Sequence, residues 1–256
     1  MPKYLPAQRL AQLVLVCLAI ETLVCMASIG STLMQAELLG RMQAGAPYTE
    51  AEANFNDLRQ GAIGTLTIIM ALISAFLFLK YLGRTNHNAR ALGVNDLSAT
   101  PGWTIGYYFV PILNFFKPYQ ILQEIWKASA PETGDWKLRA GSTLVGWYWG
   151  VRIVDLIANR VTSRLGMQSD PEGAQLIPHL LTITWISFGA EVCDLVLNVL
   201  SIFLVRNFQR RQEERHEIIG EPTGTQCPSC GEPLEKDIKF VTTCPLCGAA
   251  VQPVAS

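Results

Sequence analysis

The sequence predicts an all-α polytopic membrane protein: four transmembrane helices, an interfacial or re-entrant amphipathic segment between the second and third, and a small cysteine-rich module at the carboxyl end. Three observations predict it. Half of the 256 residues are hydrophobic and only 16% are charged, against roughly 25% charged in an ordinary soluble protein. Three runs are long and apolar enough to cross a bilayer, which takes about 20 residues of helix. Four of the seven cysteines fall within the last 30 residues, as two Cys-x-x-Cys pairs.

The first run, 10–33, holds one charge, Glu21. Lys3 and Arg9 before it would also suit a signal peptide, but the run is about twice the 7–15 residues of such a core, so a retained span is expected. The second, 62–82, holds only Lys80 near its end, where a long cationic side chain reaches the interface. The last, 177–205, holds Glu191 and Asp194 and is long enough to tilt or protrude. A weaker stretch, 140–158, carries Arg152 and Asp155 among Leu144, Val145, Trp147, Tyr148, Trp149, Val151, Ile153 and Leu156. It is read as the remaining span, with a buried or interfacial helix as the alternative. The expected division is a transmembrane domain over 1–212, a linker over 213–226 and the cysteine module over 227–256.

Basic residues resist translocation, so their placement orients the spans. Lys3 and Arg9 precede the first run. Arg84, Arg90, Lys117, Lys127, Lys137 and Arg139 lie between the second and third, and Arg206, Arg210, Arg211 and Arg215 follow the last. The two other connections are poorer: 35–61 sets Arg41 and Arg59 against four acids. Both termini are expected in the cytoplasm.

Residues 101–129 have an apolar core too short to span and broken at Pro111, the pattern of an interfacial or re-entrant segment. After Pro118, Ile121, Leu122, Ile125 and Trp126 share one helical face. Trp103, Tyr107, Tyr108 and Tyr119 suit the headgroup level. The plain reading is an amphipathic helix on the membrane packed against the bundle; the sharper one is a lid or wall for a membrane-soluble ligand.

In this segment Pro101-Gly102-Trp103, Tyr107-Tyr108-Phe109-Val110-Pro111-Ile112, Asn114, Lys117-Pro118-Tyr119, Glu124-Ile125-Trp126 and Ala128-Ser129, with Gly146-Trp147-Tyr148-Trp149 beyond it, resemble the signature of the bacterial DUF4328 family. The resemblance extends over roughly residues 10–210. It implies a four-helix domain of the bacterial inner membrane, often joined to a short zinc ribbon, and no known activity. Many members carry the ribbon before the membrane domain; here it follows.

Cys227-Pro-Ser-Cys230-Gly and Cys244-Pro-Leu-Cys247-Gly are two copies of one knuckle, 13 residues apart. Each turn aims two thiolates at one ion, and two turns close a tetrahedral four-sulfur site. One structural zinc ion is expected in preference to iron. The cytoplasmic side disfavours the disulfide alternative. A closed site has no open coordination position for chemistry. The ribbon is a candidate surface for a cytoplasmic protein partner. No nucleic acid is expected, since Lys236 and Lys239 are offset by Glu232, Glu235 and Asp237.

Ionisable groups at membrane depth usually face the bundle interior. Five are present: Glu21, Arg152, Asp155, Glu191 and Asp194. Each continues a polar stripe with steps of three and four, hence one helix face. At ~1.5 Å per residue, Glu21, Arg152, Glu191 and Asp194 lie about 16–21 Å from the cytoplasmic helix ends, so four charges from three helices are expected to converge, with Asp155 further out. One arginine among four acids fits either a structural network fixing helix packing or a polar cavity for a cation, proton or polar ligand.

Three function classes remain. A membrane-anchored interaction or regulatory module demands least chemistry and is the preferred reading. A small transporter, channel or ligand-binding protein would use the midplane charges and require a homo-oligomer. An enzyme is disfavoured: no His-Glu-x-x-His or Gly-x-Ser-x-Gly occurs, and His87, His179 and His216 are scattered.

Overall fold

The computed structural model describes residues 2–94, 96–132, 134–167, 171, 173–219, 229 and 247–249. Among them the fold is all-helical. Four long helices, α1 (Gln8–Gln43), α2 (Glu50–Ala91), α5 (Thr143–Gly166) and α6 (Leu176–Ile219), alternate in direction, and two short ones, α3 (Pro101–Gly106) and α4 (Lys117–Ala128), close one end. α1, α2 and the helix ending at Ile219 are long and apolar enough to cross a membrane.

Side-chain chemistry caps the starts of α2, α3 and α5, while α1 and α4 begin at Ala7 and Phe116 with no side-chain cap. Thr49 accepts from the Glu52 amide while the Glu52 carboxylate accepts from that of Thr49, a reciprocal capping box. Thr100 accepts from the Trp103 amide, with Pro101 supplying a backbone already set for the first turn. Ser142 accepts from the Val145 amide.

The helices outrun the apolar runs. α1 has 36 residues, α2 42 and α6 44, about 54–66 Å at ~1.5 Å per residue, against a hydrocarbon core of about 30 Å. The expected 35–61 connection is mostly helix, reversing direction only between Gln43 and Glu50. The reason is local: polar residues past an apolar run still favour helix until a cap or a glycine intervenes, here Gly45 at φ 69° and Thr49. α6 likewise continues through Ile219, into the stretch read as linker.

The main apolar core lies at the end closed by α3 and α4, here called the cap. Val14 of α1, Tyr81 and Leu82 of α2, Ile121, Leu122 and Ile125 of α4, Val145 of α5, and Leu204, Val205 and Phe208 of α6 are buried together. Further from the cap the buried residues turn small and polar: Ser28, Ser31 and Thr32 of α1, Ser74 of α2, Asp155 of α5, Thr184 and Asn198 of α6. Outward, Leu23, Ile68, Leu72, Phe76, Trp147, Val154, Trp185 and Phe203 are exposed. Apolar residues outside and small or polar ones between helices are what lipid as solvent selects, because hydrophobic side chains gain little by leaving it.

α1 packs between α2 and α6, and α5 packs chiefly on α6. α2 and α5 meet near the cap, where the Phe78 and Tyr148 rings lie 6.0 Å apart.

Candidate functional site

Two polar regions stand out, one inside the bundle and one in the cap.

Inside the bundle the five charges divide into three groups. On α5, Arg152 Nη1 lies 3.0 Å from Asp155 Oδ2, one turn along the same helix. Asn159 Nδ2 donates to Asp155 Oδ1 at 2.7 Å. The Asp155 side chain is 3% exposed and that of Arg152 is 36%. Asp194 of α6 reaches the Asp155 carboxyl from the neighbouring helix. At the α1–α6 seam, Glu191 Oε1 accepts from Ser28 Oγ at 2.6 Å and Thr32 Oγ1 at 2.9 Å, and the Cys25 thiol donates to the Glu191 carbonyl at 3.2 Å. Glu21 sits beside Ser74 of α2. The second carboxylate oxygens of Glu21 and Glu191 are buried without a hydrogen-bond partner among the described residues.

The groups approach through α6, where Asp194 and Glu191 are neighbours one turn apart, but the partners differ from those expected of a single cluster. Arg152 bonds to an acid of its own helix, and Asp155, placed further out by sequence reasoning, is the most buried of the five. Depth arithmetic cannot foresee this, because it places Cα atoms along an axis and leaves the rotation of each helix open. Two carboxyls within hydrogen-bond reach need a proton or a cation between them. Among the described residues no three His, Cys, Asp or Glu side chains converge as ligands of a metal ion.

Beyond this level a polar network without acids ties three helices. Gln35 Nε2 donates to Thr184 Oγ1 at 3.0 Å, Gln60 Nε2 donates to Gln35 Oε1, and Ser31 Oγ donates to Gln60 Oε1 at 3.0 Å. Arg59 donates to Ser31 Oγ at 2.9 Å and Asn56 Oδ1 at 2.7 Å. Arg59 and Gln60, expected in the 35–61 connection, are helical and in register with α1, a placement that hydropathy does not signal.

In the cap, the segment 101–129 is two helices separated by a reversal. Pro111 is followed by Ile112 at φ 69°, a left-handed backbone rare for a β-branched residue, and Trp149 Nε1 donates to the Phe115 carbonyl at 2.9 Å, tying the reversal to α5. Trp103 is exposed with its ring 5.0 Å from that of Tyr107. Tyr108 meets Trp149 edge-on. Pro111 and Tyr119 are exposed, Asn114 and Lys117 half-buried, and Pro118 buried. Trp126 lies edge-on to Phe208, with the Arg211 guanidinium 4.2 Å from its ring centroid. α4 is therefore part of the protein core on its apolar face.

Arginines finish the cap. A helix leaves its last carbonyls without partners, and cations favour that end. Arg139 donates to the Lys127 carbonyl at 3.0 Å, to that of Ala130 at 3.2 Å and to that of Glu132. Arg215 donates to the Ala130 carbonyl at 2.6 Å and the Leu92 carbonyl at 3.2 Å, just past the ends of α4 and α2. Arg90 donates to the carbonyls of Leu97 and Ala99. Gln212 adds bonds to the Thr85 carbonyl at 2.8 Å and Ser129 Oγ at 3.1 Å. Burial pushes the Arg211 and Arg215 guanidinium pKa values down, yet so strong a base keeps its charge at any physiological pH. Asn88 pairs with both backbone groups of Leu5, at 2.9 and 3.1 Å, anchoring the residues before α1.

Of the four cysteines expected to form a ribbon, Cys247 lies exposed at a turn; Cys227, Cys230 and Cys244 lie outside the described residues, as does most of 227–256.

A family model described as "Domain of unknown function (DUF4328)" matches residues 45–210, from just before α2 into the last third of α6. α1, with Glu21, precedes the matched stretch. No curated protein and no solved structure is significantly similar to the chain.

Proposed function

The chain belongs to the DUF4328 family, and from that membership and the geometry above we propose that it is a four-span membrane module for interaction or regulation, presenting a zinc-loaded ribbon to the cytoplasm. The observation that carries the reading is the continuity of α6. It runs unbroken from the polar seam at Glu191 to Ile219, and Gln212 and Arg215 bind it to the ends of α2 and α4. Whatever pulls on or binds the segment after Ile219 acts on a rod packed into the membrane domain. A ribbon attached after Ile219 would report on the bundle, or act on it, through this rod.

The fourth span rests on connectivity. α1 starts and α2 ends in the cap, and α6 returns to it. α5 starts there too, where Gln123 Nε2 donates to the Ser142 carbonyl at 2.9 Å. The chain has to reach the far end before α6 begins, and α5 is what carries it. Its 24 residues cover about 36 Å at ~1.5 Å each, enough for a hydrocarbon core of about 30 Å. Trp147, Val154 and Ile157 are exposed along it, as a lipid face would be. A reporter fused after residue 94, or after residue 219, should be active only in the cytoplasm. Three spans would put the two ends of the chain on opposite sides, so a periplasmic signal from the second fusion refutes the four-span reading.

The ribbon should hold one zinc ion per chain through Cys227, Cys230, Cys244 and Cys247. Elemental analysis of the purified full chain should find close to one zinc, and Cys227→Ser should abolish it while the helical melting of the membrane domain stays in place. Less than half an ion in the parent protein, or iron in its stead, counts against the assignment.

A second reading is favoured by one observation, the contact between the Asp155 and Asp194 carboxyls next to acids with unpartnered oxygens. Such a site takes up a proton or cation, which a small oligomeric transporter or channel would use. The response to Arg152→Leu, argued below, separates the two.

A further inference from the structure

We propose that the groove between α2 and α3 is a binding site for an anionic glycerophospholipid of the cytoplasmic leaflet, with Lys80 and Arg84 holding the phosphate. The groove encloses about 470 Å³, and its lining includes Phe76, Leu79, Lys80, Arg84, Ile105 and Phe109. Among the described residues no aspartate or glutamate lines it.

Its shape follows from two glycines. At Gly83 a Cβ would meet Ile105 Cδ1 at 3.1 Å and the Pro101 carbonyl oxygen at 3.4 Å. A side chain at this position would press on Ile105, so glycine here favours the close approach of α3 to α2 that makes the floor. At Gly102 a Cβ would meet nothing within 4 Å, so the groove is open there.

The charges separate this site from the other basic residues of the cap. Arg90, Arg139 and Arg215 are spent on carbonyls, and Arg211 on the Trp126 ring. Lys80 and Arg84 lie one turn apart on one face and have no hydrogen bond or ion pair among the described residues. Unpaired cations side by side repel each other, an arrangement that an anion relieves. His87, next on the same face, is engaged with the Lys3 carbonyl at 3.0 Å and forms the rim.

The occupant is identified by the order of groups along α2. Phe76 is 66% exposed and Phe109, across the groove, 72%. Phe76 lies one turn on the membrane side of Lys80, which stands near the end of the apolar run 62–82, and Phe109 lines the same groove. Arg84 lies about 6 Å further toward the cytoplasm. An apolar slot followed by two cations at the interface fits an acyl chain beneath a phosphate. A soluble phosphate compound would leave the aromatic walls unused.

The test uses the full chain in detergent, titrated with phosphatidylglycerol or phosphatidylcholine and read by native mass spectrometry. Phosphatidylglycerol should bind in preference. Lys80→Gln with Arg84→Gln should weaken it by about fivefold for each charge removed and leave phosphatidylcholine unchanged. Gly102→Leu should obstruct the slot with both cations still present. Arg210→Gln, a cytoplasmic cation outside the groove, should change nothing. The site is overturned by a lipid preference that survives both groove variants. It is equally overturned by a loss that Arg210→Gln reproduces, which marks a diffuse field. Displacement by soluble glycerol phosphate at lipid-like concentration would make it a phosphate site and refute the lipid assignment. None of the substituted side chains packs in the core, and unchanged helix content in each variant secures the comparison.

Discussion

Arg139→Met and Arg215→Met are each expected to destabilise the protein by roughly 1.5–3 kcal/mol, the range for hydrogen bonds made by a charged group. Both side chains are half-buried, and their bonds go to carbonyls at and just past the ends of α2 and α4. Methionine keeps much of the aliphatic contact and removes the donors, so the loss reads the bonds. The two sites also share acceptors: the Ala130 carbonyl is held by Arg139 at 3.2 Å and by Arg215 at 2.6 Å. Either arginine alone keeps that oxygen paired; the double variant orphans it. The double loss should therefore exceed the sum of the single losses by at least about 0.5 kcal/mol, the scale on which contacting sites couple. Arg210→Met, whose side chain is 70% exposed beside Glu214, should fall within about 0.5 kcal/mol of the parent. Equilibrium unfolding in detergent measures all four. Single losses no larger than that of Arg210→Met would mean that these arginines set membrane orientation and nothing more.

That result bears on how the chain reads as sequence. Counting Lys and Arg by connection treats every cation as a marker of sidedness, and the cap end does gather Arg84, Arg90, Arg139 and Arg215. The count is blind to which of them bind the chain itself. Arg90, Arg139 and Arg215 are staples, while Lys80 and Arg84 face an open groove, and composition is the same for both. The apolar runs were legible because lipid imposes them directly, and the periodicity of α4 named Ile121, Leu122 and Ile125 as a buried face. Helix ends were less legible. Past the apolar run nothing in hydropathy says whether α6 stops at the membrane or continues to Ile219; that depends on Phe208, Gln212 and Arg215 meeting residues far off in sequence. The intramembrane stripes were visible as steps of three and four. Their partners were not, because a stripe gives a face and leaves its bearing toward the other helices undetermined. Ser28 and Thr32 answer Glu191 across the α1–α6 seam, a pairing that emerges only once the two helices are packed.

Arg152→Leu is expected to destabilise the bundle by about 3 kcal/mol, and Asp155→Asn in the same chain to restore most of it. Removing one partner of a buried pair costs roughly 3–5 kcal/mol because the other charge is left uncompensated. The lower end applies, since Arg152 is 36% exposed while Asp155 is 3% exposed. Asparagine at 155 carries no charge and can still bond to Asn159, so the double variant should lie within about 1 kcal/mol of the parent. Glu191→Gln should give no rescue. That carboxylate is held by Ser28 and Thr32 of α1, and an amide there repairs nothing at Asp155. Asp194→Asn should rescue in part, because it relieves the contact with Asp155 without supplying a counter-charge. Thermal unfolding at neutral pH distinguishes these outcomes. A melting temperature unchanged by Arg152→Leu would mean that Asp155 does not depend on the arginine, and that a proton held between Asp155 and Asp194 already neutralises the pair. The cluster would then be a proton or cation site, and the reading of the charges as a network fixing helix packing would fail. A large loss repaired mostly by Asp155→Asn makes Arg152 and Asp155 a structural pair within α5, and leaves the cap end of α6 as the place where the proposed interaction with a partner is to be sought.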